Sequence, residues 1–427
     1  MIFRIPLLLY LLANVAPSDA GILARGSGSV ARVASRAHQR GAGLVRDLRL
    51  AYSSILIGRS DDGSSSQQPY CVNVASNGSS LTGGGDTGGG SRGGSSGTVQ
   101  PSGTSSAAPA ASSSAAAASS PWKLKQSYEG SSFFGGWSFF TDADPTGGTV
   151  DYVDGSAAQS ANLTGVNSAG NAYMRVDTTP VVSGTRKSVR ITTEFTYTQA
   201  LVVLDAVHIP TGCGTWPAFW SNGPNWPAGG EIDIVEGVNT YTNDQVTLHT
   251  NTGCSLPSTD VSKLDIAGTL VSSQDCSVSG TGDTGCGVRS TATNAFGPGF
   301  NAMGGGVYTM KWDDTGITVH FFPRSSIPSD ITSGAPNPSA WGTPIASFPS
   351  SSCNTTEFFY DHSAIFDTTL CGAWAGDGWG ASGIPGQETS CASMTSTATC
   401  ADYVLNNGAA FNEAYWEVKS VKIYQTS

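Results

Sequence analysis

Gly229-Gly-Glu-Ile-Asp-Ile-Val-Glu-Gly237 is the stretch of sequence that best predicts how the folded part of this chain is built. Because side chains alternate between the two faces of a β-strand, Glu231 and Asp233 share one face and the isoleucines share the other. Glu236 lies at an odd spacing from Glu231, so an unbroken strand would turn it to the apolar face. One extra residue in a β-bulge near Ile234–Val235 returns it to the acidic face. The stretch therefore predicts a bulged strand with three carboxylates on one side.

Such a cluster of carboxylates is costly. Two unit charges ~7 Å apart repel by about 2.4 kcal/mol at an effective dielectric constant near 20. The arrangement becomes useful when one carboxyl must hold a proton while another stays ionised. The side chains of Glu231 and Glu236 could bring their carboxyls to about 5 Å from each other, the separation found in retaining glycosidases. The alternatives are a solvated acidic edge strand and a calcium site.

Aromatic residues lie close to the acidic strand in the sequence. Trp216, Trp220 and Trp226 fall within eleven residues just before it. The C–H faces of pyranose rings pack on aromatic planes, while carboxylates and amides bind the hydroxyl groups. We therefore expect Trp220 and Trp226 to bind sugar, and we assign Trp216 to the core.

The rest of the chain from Pro121 onward has the pattern of an all-β fold. Short β-branched or aromatic runs alternate with turns rich in Gly, Pro, Asn and Asp, and long helical periodicity and internal repeats are missing. Many short strands with long connections predict a β-sandwich. The clearest strand-like runs are residues 188–195, 200–205, 316–322 and 416–424.

The N-terminal region differs in composition and charge. Residues 1–120 contain nine basic and five acidic residues, whereas the whole chain has a net charge of −11. Arg4, an apolar run over 5–13 and the small residues of Ser18-Asp-Ala20 predict a signal peptide at residues 1–20, with a short buried helix as the alternative. The run is too short to span a membrane. A signal peptide directs export, so we expect a secreted protein, either extracellular or in the cell wall.

Three further regions follow the signal peptide. Residues 21–59 carry seven arginines and form an Arg-rich segment that we interpret as a solvated tail or a pro-segment, with a membrane-binding helix as the less favoured alternative. Residues 60–120 are rich in Ser, Gly and Ala and predict a disordered linker. Residues 121–427 form the predicted catalytic domain.

The cysteines fit an oxidising compartment. Of the nine, eight follow residue 121, which permits four disulfides, and Cys71 is left over. Cys391 and Cys400 form the local pair that we expect first. The absence of C-x-x-C pairs and of paired histidines disfavours zinc. Glycosylation sequons occur at Asn77, Asn162 and Asn354.

The run from Gly230 to Asn239 resembles the catalytic strand of glycoside hydrolase family 16, in its bulged laminarinase form. The resemblance covers residues 125–427 and is closest to fungal endo-β-1,3(4)-glucanases of the basidiomycete type. Further matching blocks lie at residues 212–218, 247–250, 301–306, 320–324 and 371–376.

The resemblance implies a β-jelly roll of two curved antiparallel sheets with a cleft on the concave face. It also implies a retaining endo-β-1,3(4)-glucanase acting by double displacement. Glu231 would be the nucleophile and Glu236 the general acid/base, while Asp233 would order their protonation states.

Other residues match binding positions of the family. Trp220 and Trp226 match sugar-stacking positions, and Arg186 and Trp374 match positions at the ends of the cleft. His249 matches a residue near the acid/base, with a surface or core histidine as the alternative.

Several functional alternatives stay open at this point. A transglycosylase on the same fold would use an acceptor sugar in place of water, and a non-catalytic β-glucan-binding protein would lack turnover. The acidic charge of the body argues against a nucleic-acid partner. We expect a monomer that binds β-glucan, without a membrane partner, cofactor or cleft metal. A structural calcium ion away from the cleft stays open, as does the preference among β-1,3-linked, β-1,6-branched and mixed-linkage glucans.

Overall fold

The computed structural model describes residues 120–257 and 261–426 of the chain. The predicted signal peptide, the Arg-rich segment, Cys71, Asn77 and all but the last residue of the predicted linker lie outside the described residues. That last residue, Ser120, is buried, and its hydroxyl donates a hydrogen bond to the carbonyl of Pro336. No helix within the described residues is long and apolar enough to cross a membrane.

Two large antiparallel sheets, each of eight strands, form the body of the fold. We call the first the back sheet. Its strands, in spatial order, are β16 (Ala346–Pro349), β15 (Gly316–Pro323), β14 (Gly306–Asp313), β8 (Ala200–His208), β18 (Tyr415–Gln425), β5 (Ala172–Arg175) and β4 (Thr164–Val166), with β1 (Lys123–Glu129) also paired to β18.

The second is the cleft sheet, and a small parallel pair lies outside both sheets. The cleft sheet contains, in order, β12 (Gly268–Leu270), β13 (Cys286–Ser290), β11 (Gln245–His249), β10 (Glu231–Glu236), β9 (Thr215–Asn222), β17 (Ser363–Leu370), β7 (Arg190–Thr193) and β2 (Trp137–Phe139). The parallel pair is β3 (Val150–Tyr152) with β6 (Arg186–Ser188). The predicted all-β sandwich is confirmed.

The main core lies between the two sheets. Phe219 and Ile232 of the cleft sheet belong to the same buried cluster as Val202, Trp312 and Trp416 of the back sheet. The alternation of strand side chains therefore places one row in this core and leaves the other row of the cleft sheet free to line a cleft.

The helices are short, as the missing helical periodicity predicts. They are α1 (Gly155–Ser160), α2 (Val278–Thr281), α3 (Gly297–Ala302), α4 (Ser329–Thr332), α5 (Thr355–Phe358), α6 (Cys391–Thr395) and α7 (Cys400–Asn406), with a π-helical turn at Gly372–Gly376 and short 3₁₀ turns elsewhere. Side-chain caps begin five of them; Asp154, for example, accepts a hydrogen bond from the amide of Ala157 at α1.

Four disulfides form among the described cysteines, but the expected local pair is wrong. The bonds are Cys213–Cys391, Cys254–Cys353, Cys276–Cys286 and Cys371–Cys400. Cys391 and Cys400 begin two different helices, and each is bonded to a cysteine close to a strand of the cleft sheet. The C-terminal helices are thereby anchored next to β9 and β17.

Candidate active site

The acidic strand β10 carries the predicted bulge. Opposite β9, Asp233 pairs with Trp220 and Val235 pairs with Phe219, so Ile234 is the extra residue. Ile234 itself is buried in the core. Because the register advances by one residue here, all three carboxylates of the strand line the same cleft.

This cleft has a volume of about 440 Å³, including its open mouth. Strands β7, β9, β10 and β17 provide most of its lining, and the loop before β3 closes one side. The lining residues are Asp144, Pro145, Thr146, Arg190, Trp216, Ala218, Trp220, Glu231, Asp233, Glu236, Asp367 and Thr369.

Glu236 is the half-buried carboxyl at the end of β10. Its Oε1 atom accepts a hydrogen bond of 2.8 Å from the indole N–H of Trp216. Burial raises the pKa of Glu236 well above its usual range, the charge of Asp233 raises it further, and the hydrogen bond from Trp216 partly opposes both. The raised pKa favours the protonated form of Glu236, which is the state that a general acid requires.

Asp233 lies between the two glutamates and pairs with His249. The Nε2 atom of His249 is 3.3 Å from Oδ2 of Asp233. Burial and the charge of Glu231 raise the pKa of Asp233. Burial lowers the pKa of His249, but its hydrogen bond to Asp233 and the nearby carboxylates outweigh burial and raise it. The positive charge of His249 therefore offsets part of the repulsion within the acidic strand.

Glu231 begins β10 directly after a tight loop that carries Trp226. The indole N–H of Trp226 donates a hydrogen bond to Oε2 of Glu231. The ends of the loop touch: the amide of Gly223 donates to the carbonyl of Gly230, and a Cβ atom on Gly229 would lie 2.6 Å from backbone atoms of the opposite loop end. Only glycine permits this close approach, which explains the Gly-Gly pair before the acidic strand.

Arg190 of β7 and Asp367 of β17 form a polar wall of the cleft on the side away from β11, and neither was singled out from the sequence. The indole N–H of Trp220 donates a hydrogen bond of 3.0 Å to Asp367, and the guanidinium of Arg190 lies 4.9 Å from the ring of Trp220. Burial raises the pKa of Asp367 to about 7, against the opposing effects of Arg190 and of the hydrogen bond from Trp220. Asp144 lines the same wall.

Cross-strand register explains how these residues meet. Glu236 pairs with Ala218, Ala218 with Asp367, and Asp367 with Arg190, so one row of paired positions crosses four strands. The strands are far apart in the sequence, and a single sequence carries no signal of such pairing.

Trp216 packs against the core, as assigned from the sequence, but it also belongs to the site. Its ring lines the cleft and its indole N–H bonds to Glu236. Trp216, Ala218 and Trp220 alternate along β9, so they share one face of the strand. This spacing of two was the sequence signal that would have placed Trp216 beside Trp220.

Two expected binding residues have other surroundings. Trp374 is half-buried in the π-helical turn and packs edge-to-face on Trp216, with ring centroids 5.7 Å apart, so it supports the cleft from behind. The expectation for Arg186 is not supported. Its guanidinium is fully buried, donates to the carbonyls of Val404, Asp177 and Thr179, and does not line the cleft.

The acidic strand also offers a group of atoms with metal-ligand spacing. Glu231, Asp233 and His249 present ligand atoms within 4.8 Å of one another. A metal would have to displace the proton that the pairing with Asp233 stabilises on His249, because only the neutral imidazole is a ligand. The ion pair therefore disfavours a metal at this position.

Comparison with known proteins places this geometry among the glycoside hydrolases. A family model described as the XgeA-like catalytic GH16 domain matches residues 137–424. A probable endo-1,3(4)-beta-glucanase of Aspergillus clavatus is 46% identical over 312 residues, which are 72% of this chain and 47% of that protein. A probable glycosidase of Schizosaccharomyces pombe is 40% identical over 71% of this chain and 69% of that protein.

Solved structures agree with the fold and the cleft. Laminarinase 16A from Phanerochaete chrysosporium, with 6-O-glucosyl-laminaritriose in its donor and acceptor sites, matches with a TM-score of 0.64 and 39% identity, over 71% of this chain and 99% of that one. An elongating family 16 beta-1,3-glucosyltransferase matches with a TM-score of 0.63 and 40% identity, over 71% of this chain and 100% of that one. The chain spans about half the length of the Aspergillus relatives that it matches.

Proposed function

The chain belongs to the XgeA-like glycoside hydrolases of family 16, and we propose that its cleft hydrolyses β-1,3- and β-1,3(4)-linked glucans with retention of configuration. One observation carries the proposal. The bulge at Ile234 brings Glu231 and Glu236 into one cleft, and burial favours the protonated form of Glu236. A retaining glycosidase needs one protonated and one ionised carboxyl group.

The reaction then takes two displacement steps. Glu236 donates its proton to the glycosidic oxygen of the departing sugar while Glu231 attacks the anomeric carbon, which forms a glycosyl-enzyme and releases the leaving chain. Glu236, now ionised, removes a proton from a water molecule that attacks the same carbon. Glu231 leaves as a carboxylate, and the product has the starting anomeric configuration.

Asp233, His249 and Trp226 set the charge and the orientation around Glu231. The imidazolium of His249 pairs with Asp233 at 3.3 Å, which limits the negative charge that Glu231 experiences. The indole N–H of Trp226 directs one carboxylate oxygen of Glu231. The contact with Trp226 orients Glu231 for attack on the anomeric carbon.

The polar wall gives the cleft the length to bind a polymer. Glu236 and Arg190 lie at opposite ends of the row of paired positions that crosses four strands, three strand spacings apart, a span of about 14 Å. Trp220 lines the cleft with a largely buried side chain, and Asp367 and Arg190 offer groups that bind hydroxyls. We propose that this wall holds several sugar units on one side of the cleavage point.

The test of this proposal is the release of reducing sugar from a β-1,3-glucan. We expect the purified wild-type protein to release it and Glu231→Gln to be at least 10³-fold slower while still binding the glucan and keeping its unfolding temperature. Glu357→Gln, an exposed substitution on α5, is the matched control and should keep full activity. Near wild-type turnover by Glu231→Gln would eliminate the assignment, and glucan binding without turnover by the wild type would favour a non-catalytic binding protein.

A transglycosylase is the second candidate, because a family 16 beta-1,3-glucosyltransferase is as similar to this chain as the laminarinase. Both reactions share the glycosyl-enzyme, and they differ in whether water or a sugar hydroxyl attacks it. Incubation with laminari-oligosaccharides separates them: a hydrolase yields only shorter products, whereas a transferase also yields products longer than the substrate.

We further propose that the protein acts outside the cell as a monomer. Four disulfides in the described region support an oxidising compartment. Asn162 and Asn354 are exposed, which makes their sequons accessible for glycosylation. Detection of the mature, glycosylated protein in culture medium or in a cell-wall extract, followed by measurement of its mass in solution, tests these points.

A further inference from the structure

Behind the catalytic strand lies a buried carboxyl group that the proposed mechanism does not use. Asp244 directly precedes β11 and is fully buried, and it does not line the cleft. Its Oδ1 atom accepts a hydrogen bond of 3.0 Å from the backbone N–H of Glu236. The side chain of Asp244, in the connection between β10 and β11, is therefore hydrogen-bonded to the backbone of Glu236, the proposed acid/base.

The bulge explains why this contact exists. The ladder between β10 and β11 covers Glu231 to Asp233 and ends there, whereas the ladder with β9 continues to Glu236. Past the bulge, the amide of Glu236 thus lies beyond the end of the β11 ladder. Asp244 provides the acceptor for this partly buried N–H, which would otherwise cost free energy without a partner.

We propose that Asp244 is a positioning residue, which holds the end of the bulged strand so that Glu236 points at the glycosidic oxygen. The inference rests on the proposed function of the cleft. A misplacement of about 1 Å at a catalytic group can lower a rate by ~100-fold, so a single backbone contact at this position matters.

The surroundings of Asp244 support the neutral form. Burial raises its pKa well above the usual range, although the amides of Glu236 and Gln245 oppose the shift. The facing groups on neighbouring strands are Glu236 of β10 and the phenol of Tyr308 on β14, whose hydroxyl donates to the carbonyl of Ala295. An ionised Asp244 would place a further negative charge close to the acid/base, whereas the neutral acid keeps the acceptor without that charge.

The role can be tested with two substrates that differ in their need for an acid. Cleavage of a glucan requires protonation of a poor leaving group, whereas an aryl β-laminaribioside with an acidic phenol leaves without it. We expect Asp244→Ala to lower kcat/KM by about 10- to 100-fold on the glucan and by less than about 3-fold on the aryl substrate. KM should stay nearly unchanged, because the substrate does not touch Asp244.

Asp244→Asn keeps an acceptor oxygen and is neutral, so we expect it to retain activity on both substrates within about 3-fold. If Asp244→Ala does not fold, Asp244→Thr keeps a branched side chain but ends one bond short of the amide, and the same comparison applies. Asn301→Ala is the matched control, since Asn301 also accepts from a backbone amide, that of Ile209 at 2.9 Å, and does not line the cleft.

Three results would overturn the inference: equal losses on both substrates, full activity of the folded Asp244→Ala protein, or an Asn variant as impaired as the Ala variant. A wild-type protein that cleaves neither substrate would instead refute the proposed function, so the two failures can be distinguished.

Discussion

Trp216→Phe offers a test of how the cleft controls the proton on Glu236. The substitution removes the indole N–H that lies 2.8 Å from Oε1 of Glu236, and it keeps an aromatic ring against Trp374. The N–H stabilises the ionised carboxylate more than the neutral acid. Its removal should therefore raise the pKa of Glu236 further above the already raised position that burial gives it.

The expected size follows from the strength of one such hydrogen bond. A hydrogen bond to a charged group contributes about 1.5–3 kcal/mol, and water reaching the half-buried carboxyl would replace part of it. A net loss of ~1–1.5 kcal/mol corresponds to a shift of about one pH unit. Because Glu236 must be protonated for the first step, activity falls as the pH rises through its pKa. The basic limb of kcat/KM should therefore move upward by about one unit.

The assay is the pH dependence of kcat/KM on a soluble β-1,3-glucan, with Trp374→Phe as the control. Trp374 packs on the ring of Trp216 without bonding to Glu236, so its variant should leave the basic limb in place. A downward shift or an unchanged limb in a folded Trp216→Phe protein would refute the reasoning about the hydrogen bond.

Two further predictions concern buried charges. Arg186→Met should lower the free energy of unfolding by at least about 2 kcal/mol, because several buried carbonyls lose their donor, while kcat/KM of the folded protein stays unchanged. Thermal unfolding and glucan assays measure the two quantities. A selective rise in KM would instead show that Arg186 binds the substrate. Burial raises the pKa of Asp367 from 3.8 to about 7 in the folded protein. The free energy of unfolding is therefore unaffected by Asp367 below pH 3.8 and falls as the pH rises from 3.8 to 7, by about 4 kcal/mol in total. Asp367→Asn should remove this pH-dependent loss, which denaturant unfolding at pH 4 and pH 8 measures. The same change in the free energy of unfolding between the two pH values in variant and wild type would contradict the prediction.

The fold and the central pair of the site could be predicted because they depend on local periodicity. The odd spacing between Glu231 and Glu236 requires either opposite faces or one extra residue, since the strand period is two. A single sequence therefore contained enough information to propose the bulge, and the register of β9 and β10 confirms it.

The remaining residues depend on contacts between distant segments. Asp367 and Arg190 reach the cleft only through the pairing of β17 with β9 and β7, and the partner of Cys391 lies 178 residues away in the sequence. Arg186 illustrates the opposite error. Its match to a family position suggested a binding role, but its guanidinium is buried and donates to the backbone carbonyls of Asp177, Thr179 and Val404.

The anomeric configuration of the first product tests the central claim most directly. Glu231 and Glu236 meeting across the sugar bond predicts that proton NMR, recorded within minutes of adding enzyme to a β-1,3-glucan oligosaccharide, detects the β-anomer of the new reducing end before it mutarotates. If the α-anomer were formed first, water would be the direct nucleophile, and the assignment of Glu231 to covalent attack would be wrong.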